Sequence, residues 1–121
     1  MGLDNFFMKE CAPGEQAPEV IIDPPANLCG KLIFKGDSSF RGKVYDDFVV
    51  RVTDVSLYED HTRPDTVIEM ADSIAEWISA NPGKHFQNQE YDWTIEHAEI
   101  IDLERVFRIH GEAGFSLVSW Y

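Results

Sequence analysis

PDTVIEMADSIAEWISANPG, residues 64–83, is the stretch that decides the fold of this chain. Pro64 suits the first turn of a helix, Asp65 places a carboxylate near the positive end of the helix dipole, and Asn81-Pro82-Gly83 ends the helix. Apolar residues recur at helical spacing, at Val67, Met70, Ala71, Ile74, Ala75, Trp77 and Ile78. The stretch therefore predicts an amphipathic helix with one buried face.

Short segments on both sides of this helix predict strands. Residues 3–9, 31–35 and 115–121 are rich in aromatic and β-branched side chains, and Pro or Gly residues bound the first two. Four of the six prolines lie between the first two segments. Residues from about 11 to 30 are therefore predicted to form a Pro-rich loop, with an edge segment at residues 20–22.

A helix is predicted between the second strand and residue 64. Ser38 or Ser39 is the expected N-cap, and apolar residues from Phe40 to Val55 share one helical face. A strand at residues 49–52 is the alternative, because this segment is rich in valine. A strand running through these residues would point the adjacent Asp46 and Asp47 to opposite faces of the sheet, which favours the helix.

A third helix is predicted from about Thr94 or Glu96 to His110. Its apolar face contains Ile100, Leu103, Val106 and Phe107. Gly111 and Gly114 are expected to end it. Residues 87–89, ahead of this helix, are polar and predict a loop.

The predicted order of elements, β, β, α, α, α, β, indicates a single α+β domain over residues 1–121. We expect a mainly antiparallel sheet of three or four strands packed against about three helices, with the last strand pairing with the first two. A chain of 121 residues with 44% hydrophobic residues is long enough to bury one core.

The charge of the chain restricts its partners. It has 22 acidic and 10 basic residues, a net charge of −12. Binding to nucleic acid or an anionic membrane through a general basic surface requires many Lys and Arg residues, so we expect no direct nucleic-acid or membrane partner. No signal peptide or long apolar run is recognisable, which predicts a cytoplasmic protein.

One segment departs from this acidity. Residues 31–51 contain five basic and three acidic residues, so this segment carries +2 and the other 100 residues carry −14. Ser38, Ser39, Arg41 and Lys43 precede or begin the first helix, where backbone N–H groups and the dipole favour an anion. The spacing of Gly36 and Gly42 is one residue too long for a P-loop. A capped helix start with internally paired charges is the alternative.

A second candidate site is the acidic stripe, which we define as Asp65, Glu69, Asp72 and Glu76. The four residues fall on one side of the predicted helix, and none has a Lys or Arg three or four positions away on it. Like charges at this spacing cost a helix a few tenths of a kcal/mol per pair. Docking onto a basic protein surface would offset that cost, whereas a solvated face in an acidic protein is the simpler explanation.

No catalytic residue, cofactor or metal site is predicted. The four histidines and two cysteines lack the close spacing of zinc ligands, and His110 shares the apolar stripe of its helix, which favours a packing role. Cys11 and Cys29 would form a disulfide only in an oxidising compartment and would stay reduced in a cytoplasm.

Several segments together carry a resemblance. They are Met-Gly-Leu-Asp-Asn-Phe at the start, Ser-Ser-Phe-Arg-Gly-Lys-Val-Tyr at 38–45, Val-Ser-Leu-Tyr-Glu at 55–59 and Leu-Glu-Arg-Val-Phe-Arg-Ile at 103–109. The chain resembles a group of small bacterial and phage-associated proteins that begin Met-Gly-Leu-Asp and have no established function. The resemblance implies that residues 38–45 are distinctive and that the setting is a mobile element.

Two functional hypotheses follow from the sequence. The first is a cytoplasmic protein-binding module that presents the acidic stripe to a basic protein partner. The alternative is a small enzyme or sensor that binds a phosphorylated small molecule at residues 38–43. The sequence does not determine the oligomeric state.

Overall fold

The computed structural model describes residues 3–16, 18, 20–31, 36–89 and 92–120. Within these residues, three helices pack with a four-stranded antiparallel sheet, and two further strands form a separate sheet. The elements are β1 (Asp4–Met8), β2 (Ser39–Phe40), α1 (Gly42–Thr53), β3 (His61–Thr62), α2 (Pro64–Ala80), β4 (Phe86–Gln87), β5 (Thr94–Ile95), α3 (His97–Glu112) and β6 (Ser116–Trp120). The predicted α+β class is confirmed, and of the predicted three or four strands in the sheet the structure has four.

The larger sheet has the strand order β2-β1-β6-β3. β1 and β6 form its centre, and their register pairs Phe7 with Leu117. The predicted pairing of the last strand with the first is therefore confirmed. The predicted second strand, residues 31–35, falls outside the described residues except for Lys31, and Tyr121 also lies outside them. The strand described on the other side of β1 is β2.

Alternation along β1 shows which face of the sheet is covered. Asn5 and Phe7 are buried, whereas Met8 is exposed. Phe7 contacts Phe40 of β2 and Phe107 of α3, with ring centroids 6.1 and 5.9 Å apart. These aromatic rings fill the space between the sheet and α3, and the apolar faces of α1 and α2 complete the core.

α2 has the bounds that its sequence predicts, with Pro64 in the first turn and its end just ahead of Pro82. α3 begins after Glu96, which forms a capping box with Glu99. Its predicted end at Gly114 is confirmed, since this residue has φ +84° and directly follows the Ala113 C-cap, but its predicted end at Gly111 is wrong. A Cβ at Gly111 would lie 2.8 Å from Ile68 Cγ1 and 3.2 Å from the Pro64 carbonyl oxygen. Gly111 therefore allows α3 to approach α2, and the helix continues to Glu112.

The first helix is confirmed as a helix rather than a strand, but it begins later than predicted. Arg41, not Ser38 or Ser39, occupies the N-cap position, and α1 ends at Thr53, before Val55. Ser38 ends a 3₁₀ turn, Gly36–Ser38, and Ser39 belongs to β2, where it pairs with Phe6. Sheet pairing of Ser39, with Ser38 in the turn just ahead of it, has thus overridden the local capping preference of the two serines.

The short elements differ most from the prediction. β3 and the β4–β5 hairpin are each built from strands of two residues, too short for a periodic pattern. Gln87, expected in a loop, pairs with Thr94 in that hairpin. The predicted edge segment at residues 20–22 is wrong, since Val20, Ile21 and Ile22 lie in no strand. Ile22 is instead buried in the core together with Ala26 and Leu28 of the same loop, and Ile21 is exposed.

Within the described parts of the chain, no helix is long and apolar enough to cross a membrane.

Candidate functional site

The acidic stripe lies on the outward side of α2. The opposite side of this helix buries Val67, Met70, Ala71 and Ile74 in the core. Asp65, Glu69, Asp72 and Glu76 are all exposed. At 1.5 Å rise per residue the stripe spans roughly 16 Å along the helix. The structure therefore brings these four carboxylates together on one accessible surface.

Two members of the acidic stripe have a basic partner. Asp72 accepts from Arg108 of α3 at 2.9 Å, and Arg108 also pairs with Glu104 at 2.8 Å. The hydrogen bond to Glu104 has the largest effect on the Arg108 guanidinium and raises its pKa. Partial burial lowers this pKa, but Asp72 raises it again, so the pKa is higher than usual. One cation is thus shared by two carboxylates, which leaves this group with a net negative charge.

Within the described part of the chain, Asp65, Glu69 and Glu76 have weaker ionic contacts than Asp72, or none. Asp65 pairs with Arg63 at 3.5 Å, but both side chains are about three-quarters exposed, so this ion pair contributes little to stability. Among the residues that the structure describes, neither Glu69 nor Glu76 forms an ion pair. The acidic stripe therefore retains most of its charge at the surface.

A groove opens at the C-terminal end of the acidic stripe. It has a volume of about 360 Å³ and lies between the last turns of α1 and α2, and Glu76 forms part of its wall. Trp77 and Ala80 of α2, Val52 of α1 and Phe86 of β4 supply its apolar surface, and Arg51 of α1 its second charge. Sequence reasoning missed this groove, because it depends on the position of the β4–β5 hairpin.

The predicted anion-site residues do not converge on one point. Ser38 Oγ lies 2.8 Å from His110 Nε2, and Ser39 donates to the Gly36 carbonyl at 3.1 Å. The Arg41 guanidinium lies 3.5 Å from the Asp4 carboxylate. Lys43 lines a separate shallow hollow beside Trp93. Ser38, Ser39 and Arg41 are thus directed toward groups of the protein itself.

The backbone at the start of α1 is also engaged. Arg41 N–H donates to the Cys29 carbonyl at 2.7 Å, and Lys43 N–H donates to the Leu3 carbonyl at 3.2 Å. Asn5 Oδ1 lies against Gly42, so close that a Cβ there would be 1.7 Å from it. Two protein carbonyl oxygens thus occupy positions where an anion would accept hydrogen bonds.

Ser38 and His110 form a pair that the sequence did not predict. His110 Nδ1 lies 2.7 Å from the Val106 carbonyl oxygen, which only accepts, so Nδ1 carries the proton. Nε2 is then the acceptor for the Ser38 hydroxyl. A serine hydroxyl that donates to a histidine nitrogen has the arrangement of a catalytic nucleophile and its general base. However, His110 is 0% exposed and stacks on Phe7 with ring centroids 4.1 Å apart.

This surrounding decides what the pair can do. Burial lowers the pKa of His110, against smaller opposing effects of the Val106 carbonyl and Asp37. An imidazolium formed during catalysis would lie among apolar rings, where a charge is costly. The Ser38–His110 pair therefore fastens the 3₁₀ turn to α3, and the packing role expected for His110 is observed.

A second buried polar chain connects α1 with α3. Tyr45 donates to Glu99 Oε2 at 2.7 Å and accepts from the Cys29 N–H at 2.9 Å. Burial raises the pKa of Tyr45 far above its ordinary value, so the phenol remains a donor. Cys29 and the exposed Cys11 are both free thiols.

No group of three or more His, Cys, Asp or Glu side chains suited to a metal ion occurs in the described portion of the chain.

Comparison with known proteins adds no relative. No protein-family model, curated protein or solved structure matches this chain. The resemblance to small phage-associated proteins accordingly stays a prediction.

Proposed function

We propose that this protein is a protein-binding module that docks the acidic stripe of α2 onto a basic protein surface. The observation that carries this proposal is the exposure of all four carboxylates on one helix face, where Arg108, near the middle, is already shared with Glu104 of α3. A rigid helix on a packed core presents these charges in a fixed array, which favours a specific partner over diffuse attraction.

The overall charge supports the same function. A protein of net charge −12 attracts basic surfaces at long range and repels nucleic acid and anionic lipid. Glu69 and Glu76 add short-range pairing, because each gains its first cationic partner on binding. Binding should weaken as salt is added, since exposed charges are screened over about 8–10 Å at physiological ionic strength.

The alternative function, binding of a phosphorylated small molecule at residues 38–43, remains a prediction. The side chains of Ser38, Ser39 and Arg41 already contact other groups of the protein. So do two backbone N–H groups at the start of α1. No contact among residues 38–43 favours a ligand over internal pairing of these groups within the protein.

Charge reversal tests the proposed function. The variant Glu69→Lys with Asp72→Lys reverses the middle of the acidic stripe, and Glu10→Lys with Glu15→Lys changes the net charge equally at exposed positions elsewhere. Affinity capture from lysate of the host cell, followed by mass spectrometry, measures which basic proteins each variant retains. The stripe variant is expected to lose partners that the control variant keeps. Equal retention by both variants would exclude the acidic stripe as the binding surface.

A further inference from the structure

The groove at the end of the acidic stripe has walls of two chemical kinds. Trp77, Phe86 and Val52 are half-buried apolar side chains, and Ala80 adds a methyl group at the rim. Glu76 supplies an exposed carboxylate on the same wall as Trp77 and has no ion pair within the described residues. A side chain with an apolar stem and a cationic end would contact both: the stem packs on the apolar walls, and the charged end pairs with Glu76.

The aromatic walls are held in place from below. Phe48, which is fully buried, contacts Trp77 edge to face at 5.2 Å and Phe86 at 5.1 Å between ring centroids. These contacts fix the two half-buried rings relative to each other before any partner binds. A preformed aromatic surface next to a carboxylate favours a planar cation, which stacks on the ring and donates to the carboxylate.

Arg51, on the opposite wall, does not cancel the charge of Glu76. Its guanidinium pairs with Asp47 at 2.9 Å. Although partial burial opposes ionisation of Asp47, the Gln89 N–H and Arg51 together lower its pKa, so this carboxylate stays charged. The Arg51–Asp47 pair is therefore close to neutral, and Glu76 determines the charge that the groove attracts.

We propose that this groove takes an arginine side chain of the basic partner, with the guanidinium between the Trp77 ring and the Glu76 carboxylate. The inference rests on the proposed function and names the chemistry of its partner: an extended basic segment with an arginine anchor. Asp72 lies one helical turn, about 6 Å, from Glu76. Alternate residues of an extended chain are about 6.6 Å apart, so a lysine two residues from the arginine reaches Asp72.

A short peptide tests this arrangement. The probe is the fluorescein-labelled peptide Gly-Lys-Gly-Arg-Gly-Lys-Gly. The reference peptide has glutamine in place of the arginine. Fluorescence anisotropy measures affinity, and amide and indole NMR shifts locate the bound peptide. The arginine probe is expected to bind about tenfold more tightly than the reference, as one cation–π contact with one ion pair allows. It is also expected to shift the indole signal of Trp77.

Two pairs of variants place the peptide. Ala80→Arg puts a competing cation into the groove without altering the core, and Ser79→Arg makes the same charge change at an exposed neighbour outside the groove lining. Glu76→Gln removes the carboxylate, with Glu112→Gln as its control. Ala80→Arg and Glu76→Gln are expected to reduce the affinity for the arginine probe about five- to tenfold relative to their controls.

The outcomes separate the two proposals. Binding that is lost with Glu69→Lys and Asp72→Lys, but is unchanged by Ala80→Arg and by the arginine-to-glutamine change, supports the acidic stripe and overturns the arginine site. Binding that depends on the groove variants alone supports the arginine site and contradicts the role of the stripe. Absence of binding by either peptide at low salt overturns the arginine site, and the capture experiment then decides on the stripe alone.

Discussion

The acidic stripe of α2 and the basic segment that leads into α1 are both charged regions associated with a helix, but their polar groups differ in exposure and in bonding. All four stripe carboxylates are exposed. Ser38, Ser39 and the first N–H groups of α1 instead bond within the protein, to His110, Gly36, Cys29 and Leu3. The first region faces solvent, and the second joins the helix to the sheet.

This difference in exposure shows what can be learned from residue spacing within a helix and from residue spacing in a turn. Spacing within a helix determines which side chains share a face, so the outward direction of the stripe follows from the buried side of α2. Spacing in a turn ahead of a helix determines no such direction. The comparison predicts that substitutions at the start of α1 affect folding, whereas substitutions in the stripe affect binding.

The largest expected effect on stability is that of Gly42→Ala at the start of α1. Its Cβ would lie 1.7 Å from Asn5 Oδ1 and 3.0 Å from Leu3 Cδ2, so the helix or β1 must shift. We expect a loss of about 2–4 kcal/mol in the free energy of unfolding, measured by urea denaturation. Gly83→Ala, in open space with φ +71°, is the control and should cost about 1 kcal/mol. Equal effects would contradict the close approach of β1 to α1.

Ser38→Ala is expected to have the next largest effect. It removes the donor to His110 Nε2 and leaves a fully buried acceptor without that partner, which costs about 1–3 kcal/mol. Thermal unfolding of this variant and of Ser79→Ala, an exposed serine on α2, provides the comparison. A Ser38→Ala variant as stable as Ser79→Ala would show that the Ser38–His110 bond contributes nothing.

The buried His110 also gives stability a pH dependence. Burial lowers its pKa in the folded protein, while the unfolded side chain binds a proton near pH 6.5. As the pH falls below about 6.5 the unfolded state takes up this proton first. The stabilisation is therefore complete above that pH and is lost as the pH falls toward the lowered pKa.

We expect a loss of about 1 kcal/mol in the free energy of unfolding between pH 7.5 and 5.5, measured by urea denaturation at each pH. His110→Gln removes this titration and leaves the other three histidines, so its stability should depend less on pH over this range. A slope identical to that of the original chain would assign the dependence to the other groups.

The smallest effect on stability is expected for Glu69→Lys with Asp72→Lys. Both side chains are exposed, and the loss of the Asp72–Arg108 pair is offset by relief of repulsion along the stripe. The change in the free energy of unfolding should stay within about 0.5 kcal/mol. A large destabilisation would mean that the acidic stripe holds α2 on α3, and its exposure would no longer indicate a binding surface.

The parts of the fold that the sequence predicts are those with long periodic patterns. Residues 64–83 predict α2 nearly to the residue, because Pro64 and Pro82 bound a continuous apolar stripe. Strands β1 and β6 are predicted from their aromatic and β-branched residues. The end of α3 is predicted wrongly, since Gly111 is required by the close approach of α2.

The candidate site is predictable in part. The four stripe residues and their common face follow from helical spacing, and their exposure follows from the opposite apolar face. The contact of Arg108 with Asp72 depends on the packing of α3 on α2, which no local pattern contains. The groove depends on β4, a strand of two residues. The four charges of the site therefore come from one helix, whereas the Arg108 contact and the groove come from residues distant in sequence.

The central pairing of β1 with β6 has a consequence for how the protein folds. Asp4 and Trp120, more than 100 residues apart, are partners in this ladder, and all three helices lie in the loop that it closes. α2 and α3 pack against each other over a much shorter separation, so they are expected to form a compact unit before the sheet assembles. The acidic stripe therefore lies on a part of the fold held by contacts closer in sequence than those of the central ladder.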